Sequence, residues 1–154
     1  MKIDVKRLII SIFIPLALGT LVGLITGTNG GYDNFIKPDF APPGILFPIV
    51  WTILYTLMGV SSYIVDESDD ARSEKAMNAY YTQLIINLLW SFIFFTFKMY
   101  LFAFIWIILL IVIVVIMIKR FYDINKLSGL LQIPYLLWLI FASILNFSIY
   151  LLNR

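Results

Sequence analysis

Charged residues divide the chain into five long uncharged stretches. These stretches are residues 8–32, 40–65, 76–97, 99–118 and 127–153. A transmembrane helix needs about 20 apolar residues, and lipid offers no partner to an unpaired backbone N–H or C=O group. Each stretch therefore predicts a membrane-spanning helix. The pattern as a whole predicts an all-α membrane protein, with residues 1–154 forming a single domain that is a five-transmembrane-helix bundle.

The connections between the stretches set the predicted boundaries. The helices are expected at residues 6–27, 44–65, 77–97, 100–120 and 128–152. Residues 28–43 are rich in Gly, Asn and Pro, which predicts an ordered loop. The connection at Lys98 and Met99 is so short that the helices on either side must run antiparallel. The first stretch also resembles the apolar part of a signal peptide, but its length and Pro15 favour a retained helix.

The distribution of Lys and Arg predicts an orientation. With five spans, eight of these residues fall on the side of the N-terminus and three on the other side. Positive charges accumulate on the cytoplasmic side of membrane proteins. We therefore expect a multi-pass protein of the cell membrane, with the N-terminus inside and the first loop and C-terminus outside.

Composition narrows the function classes. Charged residues make up 13% of the chain, against about 25% in soluble domains. The chain has no Cys and no His, which excludes disulfides, the usual zinc sites and His or Cys ligation of haem. We expect no cofactor and no bound metal. A net charge of +2 without a basic run gives no support for a nucleic-acid partner. Deep in the spans no ionisable residue occurs, which argues against an ion pump.

Helical spacing places aromatic and small or amide residues on common faces of three helices. The faces are Phe47, Trp51, Tyr55 and Gly59 on the second helix, Asn87, Trp90, Ser91 and Phe94 on the third, and Trp138, Ala142, Leu145 and Asn146 on the fifth. Brought together, they would form an aromatic-walled cavity with a few hydrogen-bond donors. Such a cavity is typical of a site for a flat apolar ligand.

A second interpretation of the same residues is equally well supported. Trp51 and Trp138 lie near helix starts, where tryptophans commonly anchor a helix at the membrane interface. The amides of Asn87 and Asn146 could serve only to join helices. Trp106 lies on a helix without a polar partner and is assigned to packing or lipid contact. Composition and spacing alone leave the pocket and the purely structural interpretation about even.

Two further patterns have alternative explanations. Three glycines follow one another at four-residue spacing on the first helix, namely Gly19, Gly23 and Gly27. They predict close helix contact, either in a homodimer or, somewhat favoured, within the monomer. The segment from Leu145 through Tyr150 to Arg154 matches the loose pattern proposed for cholesterol contact. A terminal Arg that reaches for the interface explains it equally well.

Three sets of residues occur in a recognisable order. They are Lys37-Pro38, Pro42-Pro43, Phe47-Pro48, Trp51, Leu54-Tyr55 and Gly59; then Asn87, Trp90-Ser91 and Phe94-Phe95; then Pro134, Tyr135, Trp138, Phe141-Ala142 and Leu145-Asn146. Together they resemble the tryptophan-rich sensory protein / translocator protein family, the former peripheral benzodiazepine receptor group. The resemblance covers nearly the whole chain. One departure is Phe40, where many members have Trp.

This resemblance implies a five-helix bundle, often a homodimer, whose pocket is covered by the first loop. Family members bind porphyrins such as protoporphyrin IX and haem, sterols, and synthetic isoquinoline or benzodiazepine ligands. Some are associated with light- and oxygen-dependent breakdown of protoporphyrin. Carried over by position, the implied ligand-binding residues are Tyr32, Phe47, Trp51, Asn87, Trp90, Trp138, Ala142 and Leu145.

Three functional hypotheses follow. The first is a receptor, sensor or carrier that holds a porphyrin or another planar apolar ligand. The second is an enzyme that degrades porphyrin by photo-oxidation, with Trp51 and Trp138 as the catalytic residues that exchange an electron. The third is a purely structural or partner-binding membrane protein, which predicts no saturable ligand binding.

Overall fold

The computed structural model describes residues 2–27 and 31–154. Five of its helices are long and apolar enough to cross a membrane. The helices are α1 (Val5–Thr26), α2 (Leu46–Asp66), α3 (Ser73–Ser91), α4 (Tyr100–Ile124) and α5 (Ile133–Asn153). The described residues contain no strand. The predicted all-α bundle of five membrane helices is thus confirmed. Residues 28–30 of the predicted loop lie outside the described residues.

Three helix boundaries differ from the predicted ones. Helix α3 begins four residues early because Glu74, Lys75 and Ala76 are good helix formers. Helix α4 continues to Ile124, and its added turn holds the pair Lys119–Asp123, with nitrogen and oxygen 3.2 Å apart.

The predicted fifth helix consists of two helices. A short helix, Lys126–Leu130, is capped by the Asn125 side chain, which accepts a hydrogen bond from the Ser128 N–H. Helix α5 then begins anew, with Pro134 in its first turn, where the missing N–H of proline has no intrahelical partner to lose.

The end of α3 is wider than a regular helix. A π-helical turn, Phe92–Thr96, continues it, and the Phe97 N–H donates to the Phe92 carbonyl at 2.9 Å. Lys98 then adopts a left-handed conformation with φ of 54°. This combination reverses the chain within three residues and confirms that α3 and α4 are joined by a tight connection.

Around the bundle the order is α2, α1, α3, α4 and α5, and α1 packs most extensively against α2. Glycines permit that contact. A Cβ atom at Gly59 would lie 2.4 Å from the Ile12 Cα, and one at Gly19 would lie 2.3 Å from the Tyr55 ring. Gly19 therefore packs within the monomer, while the homodimer stays a prediction.

The two ends of the bundle differ in construction. We call the end near residues 31–45 the lid end, and the end near residues 67–72 the linker end. At the linker end the Asp4 N–H donates to the Tyr63 hydroxyl at 2.8 Å, and Arg7 pairs with Glu67. The outer faces of the helices carry exposed apolar side chains along their length, as a lipid-facing surface requires. The chain is a multi-pass integral membrane protein.

The linker itself is ordered by one arginine. Arg72 hydrogen-bonds both carboxylate oxygens of Asp70, at 2.9 and 2.7 Å, and this contact lowers the pKa of Asp70 to about 2. The same guanidinium donates to the Asp123 carbonyl at 3.0 Å. The linker is thereby tied to the end of α4.

Candidate functional site

A cavity of about 240 Å³ lies at the lid end and is lined by residues of all five membrane-spanning helices and of the first loop. All eight residues that the sequence analysis placed in a pocket line it. They are Tyr32, Phe47, Trp51, Asn87, Trp90, Trp138, Ala142 and Leu145. The three helical faces therefore do converge on one space.

The first loop covers the cavity through Tyr32, which lies in a short 3-10 helix, Tyr32–Asn34. Tyr32 is only 4% exposed, its hydroxyl donates to the Pro42 carbonyl at 2.7 Å, and its ring meets Phe47 edge-on at 4.7 Å. The Lys37 ammonium lies 4.9 Å from the centre of the same ring. Burial raises the pKa of Tyr32, so its phenol remains a neutral donor near pH 7.

A latch joins this loop to the end of α5. The Ile36 N–H donates to Asn153 Oδ1 at 3.0 Å, and Asn153 Nδ2 donates to the Ile36 carbonyl at 2.8 Å. Beside the latch, the Phe35 ring packs edge-on against Phe94 at 5.4 Å and Tyr100 at 5.3 Å. Sequence reasoning missed this latch, because one Asn near a helix end has no distinguishing pattern.

Two of the four tryptophans have hydrogen-bonded indoles. Trp90 donates to Asn146 Oδ1 at 3.1 Å, and Asn146 Nδ2 in turn donates to the Tyr100 carbonyl at 3.0 Å. Trp106 donates to the Ile86 carbonyl of α3 at 2.8 Å. The expectation that Trp106 lacks a polar partner was therefore wrong, because the partner is a backbone group of another helix and leaves no sequence signal.

The other two tryptophans present their rings to the cavity. Trp51 packs against Tyr55 at 5.1 Å and Tyr135 at 6.1 Å, and Trp138 packs against Phe47 at 5.7 Å. Among the described residues no group accepts a hydrogen bond from either indole N–H. Both donors are thus available to a molecule in the cavity.

Asn87 both lines the cavity and joins two helices. It is 5% exposed and lines the cavity, and its Nδ2 donates to the Tyr55 hydroxyl at 3.2 Å. One amide hydrogen is therefore used to join α3 to α2. The second hydrogen and the carbonyl oxygen have no partner among the described side chains.

Sequence reasoning missed the part of the cavity lining that α1 supplies. From this helix, the lining includes Leu16, Gly19, Thr20, Val22 and Leu24. No aromatic or amide residue marks this helix face, and only its glycines hint at close contact. The part of the lining that α1 supplies is therefore largely aliphatic.

The chemistry of the lining limits what the site can do. Among the described lining residues, the polar groups are hydroxyls, amides and indole N–H groups, with no ionisable carboxylate or amine. Within residues 2–27 and 31–154, no three acidic side chains come together as a metal site. The arrangement suits a flat, largely apolar molecule that accepts or donates a few hydrogen bonds.

The chain is similar to known proteins over nearly its whole length. Residues 11–152 match the TspO/MBR family. The chain is 39% identical to the tryptophan-rich protein TspO of Archaeoglobus fulgidus over 97% of its own length and 99% of that protein. It is 32% identical to the protein CrtK of Rhodobacter capsulatus, over 92% and 89%. With the human translocator protein it shares 31% identity over 77% of this chain and 72% of the relative.

Proposed function

Because the chain belongs to the TspO/MBR family of membrane proteins, we propose that it is a membrane receptor, sensor or carrier for porphyrins such as protoporphyrin IX and haem. Sterols and isoquinoline- or benzodiazepine-type molecules are further candidate ligands. The observation that carries the proposal is the aromatic-walled cavity, into which the two free indoles of Trp51 and Trp138 project. A porphyrin would stack on these rings, and Asn87 would hydrogen-bond a polar substituent.

The volume of the cavity limits how a porphyrin can bind in it. At about 240 Å³ it is slightly smaller than the roughly 300–1,000 Å³ typical of sites for drug-sized ligands. A macrocycle must therefore extend beyond the enclosed space or displace part of its wall. We expect small planar ligands to bind with less rearrangement than porphyrins.

Blocking the cavity from inside gives the sharpest test. Ala142→Phe places a ring in the cavity, whereas Ile144→Phe adds a ring to an α5 position that is 54% exposed and does not line it. Purified protein would be titrated with protoporphyrin IX in the dark and followed by Trp fluorescence. Saturable quenching that Ala142→Phe abolishes and Ile144→Phe retains would support the proposal. Absence of saturable quenching in the unmodified protein would refute it.

The tryptophans can be separated in the same assay. Trp138→Phe keeps an aromatic ring but removes the indole N–H donor, and it should weaken binding about fivefold, since one hydrogen bond contributes roughly 0.5–1.5 kcal/mol. Trp106→Phe serves as the matched control, because Trp106 does not line the cavity. Equal affinity in both variants would assign Trp138 to packing only.

A second candidate function is light- and oxygen-dependent degradation of the bound porphyrin. It is favoured by the position of Trp51, which lies at the cavity in contact with two tyrosines, Tyr55 and Tyr135. The excited porphyrin and oxygen would supply the oxidant, and Trp51 or Trp138 would exchange an electron. Under light, a Trp51→Phe protein that binds porphyrin but no longer bleaches it would support this function. Bleaching at the normal rate would exclude a role for Trp51.

We also propose that the N-terminus lies on the inner side of the cell membrane. The chain has no native cysteine, so a single introduced thiol can report its own side. In intact cells, a membrane-impermeant maleimide should label Asp39→Cys in the first loop and leave Ser68→Cys in the linker unlabelled. The reverse result would invert the topology. The homodimer is tested by the mass of the purified protein in detergent.

A further inference from the structure

Among the described residues that line the cavity, the surface-exposed ones occur on two neighbouring helices, α1 and α2. Most of the lining residues are buried or half-buried, but four are exposed, and all four lie on α1 or α2. They are Thr20 and Leu24 on α1 and Pro48 and Thr52 on α2. Leu24 is 72% exposed although it borders the cavity. We call these four residues the side opening.

The packing of the two helices explains its position. Near the middle of the bundle the glycine contacts at Gly19 and Gly59 hold α1 and α2 together, and the side opening lies beyond them, toward the lid end. Thr20 lies six residues before the end of α1, and Thr52 lies six residues after the start of α2. At 1.5 Å per residue, both lie about 9 Å from the helix ends.

The surroundings of the side opening are those of a lipid-facing surface. Next to it, Leu21 is 53% exposed, Ile49 is 52% exposed and Ile53 is 56% exposed. Such apolar side chains on membrane-spanning helices contact acyl chains. The hydroxyl of Thr52 is already bonded to the Pro48 carbonyl at 2.7 Å. It therefore presents little unsatisfied polarity to the lipid.

On the lid side, the described part of the first loop, residues 31–45, is held in place by several contacts. Tyr32 is buried and bonded to the Pro42 carbonyl, and the paired hydrogen bonds of Ile36 and Asn153 hold the loop against α5. Phe35 adds a ring contact to Phe94 on the same side. A ligand arriving from water would have to break these contacts, whereas a ligand dissolved in the bilayer would not.

We propose that the ligand reaches the cavity from the bilayer, through the side opening between α1 and α2. This inference rests on the proposed function, because it requires that the cavity binds an apolar ligand. It also limits the ligand class to molecules that partition into the membrane. Water-soluble, highly charged molecules of the same shape would not reach the site.

A reversible plug at the side opening tests the route after the protein has folded. Thr52→Cys would be modified with a bulky aromatic methanethiosulfonate, which reacts with no other residue because the chain has no native cysteine. Thr82→Cys is the matched control. Thr82 is also exposed, bonds the Asn78 carbonyl at 2.7 Å as Thr52 bonds that of Pro48, and does not line the cavity.

The readout is the association and dissociation rate of protoporphyrin IX with protein in liposomes, followed by Trp quenching. If the ligand passes through the side opening, the plug at residue 52 should slow both rates at least tenfold. Reduction should restore both rates, and the plug at residue 82 should change neither. Slower association with unchanged dissociation would show that the plug occupies the site itself, and would overturn the proposed route.

A second variant examines the lid directly. Asn153→Ala removes both hydrogen bonds of the latch. Several-fold faster association in this variant, with no effect of the plug at residue 52, would show access over the lid and overturn the route. Saturable binding with rates unchanged by the plug overturns the route alone. Absence of saturable binding in the unmodified protein overturns the proposed function and the route together.

Discussion

Large apolar and aromatic residues build both ends of the bundle, but they fill the core at the linker end and surround a cavity at the lid end. At the linker end Met58, Val114, Met117 and Phe121 are completely buried and pack in one apolar core. At the lid end, the rings of Tyr32, Phe47 and Trp138 meet edge-on and surround a cavity. Van der Waals packing is a main source of helix association in lipid. The filled end therefore supplies stability that the open end lacks.

The hydrogen bonds between helices also differ between the two ends of the bundle. At the linker end, the Ser61 hydroxyl donates to the Ser128 carbonyl at 2.6 Å, and the Tyr135 hydroxyl donates to Gln83 Oε1 at 2.7 Å. These groups are buried and do not line the cavity. At the lid end, the bonds of Asn87 and Asn146 lie in the cavity wall. There the hydrogen bonds both join helices and shape the site.

The largest expected effect comes from truncating one side chain at each end. Met58→Ala should destabilise the protein by about 2–5 kcal/mol, because it creates a void in close-packed surroundings. Leu145→Ala should cost clearly less, because Leu145 already borders open space. Thermal unfolding in detergent, followed by circular dichroism, measures both. Equal losses would contradict the contrast between a filled and an open end.

A smaller effect is expected from adding one methyl group to a glycine. Gly59→Ala should cost about 1–3 kcal/mol, because its Cβ would meet the backbone of α1 at Ile12. Gly44→Ala, in the loop at the lid end, should be tolerated, since its Cβ would lie 3.5 Å from the nearest atom, an oxygen of Asp33. The same unfolding assay compares the two. If Gly59→Ala is neutral, the α1–α2 contact is looser than the structure indicates.

The sequence predicted the features that repeat along a helix. The five spans followed from the positions of charges, and the pocket residues followed from helical spacing together with the family resemblance. Trp51 and Trp138 fell on predicted faces and do line the cavity. These features are local, because the period of a helix alone determines which residues share a face.

The features that escaped prediction depend on contacts between distant segments. The bond between Asn153 and Ile36 joins residues 117 positions apart, and that between Trp106 and Ile86 uses a backbone carbonyl that no side-chain pattern reveals. The break before α5 was missed because residues 127–153 carry no charge that would separate two helices. The aliphatic wall of α1 was missed because Leu and Gly at these positions also suit plain lipid contact.

The next prediction concerns a single hydroxyl at each end. Tyr135→Phe leaves the buried Gln83 oxygen without its donor and should cost about 1 kcal/mol, within the range measured for hydrogen bonds between membrane helices. Porphyrin affinity should change little, because the Tyr135 ring is kept. Tyr32→Phe removes the bond to the Pro42 carbonyl of the lid. It should alter ligand release more than stability. If Tyr32→Phe costs more stability than Tyr135→Phe, the lid stabilises the fold more than the linker end does.

The smallest effect concerns the backbone at the lid end, where two of the described residues have positive φ. Gly27 ends α1 with φ of 64°, and Lys98 turns the chain with φ of 54°. The left-handed region costs a non-glycine residue about 1–2 kcal/mol. A glycine avoids this cost, but it also makes the unfolded chain more flexible, which offsets part of the stabilisation. Lys98→Gly should therefore stabilise the protein by about 0.5 kcal/mol, and Gly27→Ala should destabilise it by about 1 kcal/mol. Opposite shifts in Tm are the expected result. Shifts of the same sign would show that the Lys98 side chain contributes more than its backbone strain removes.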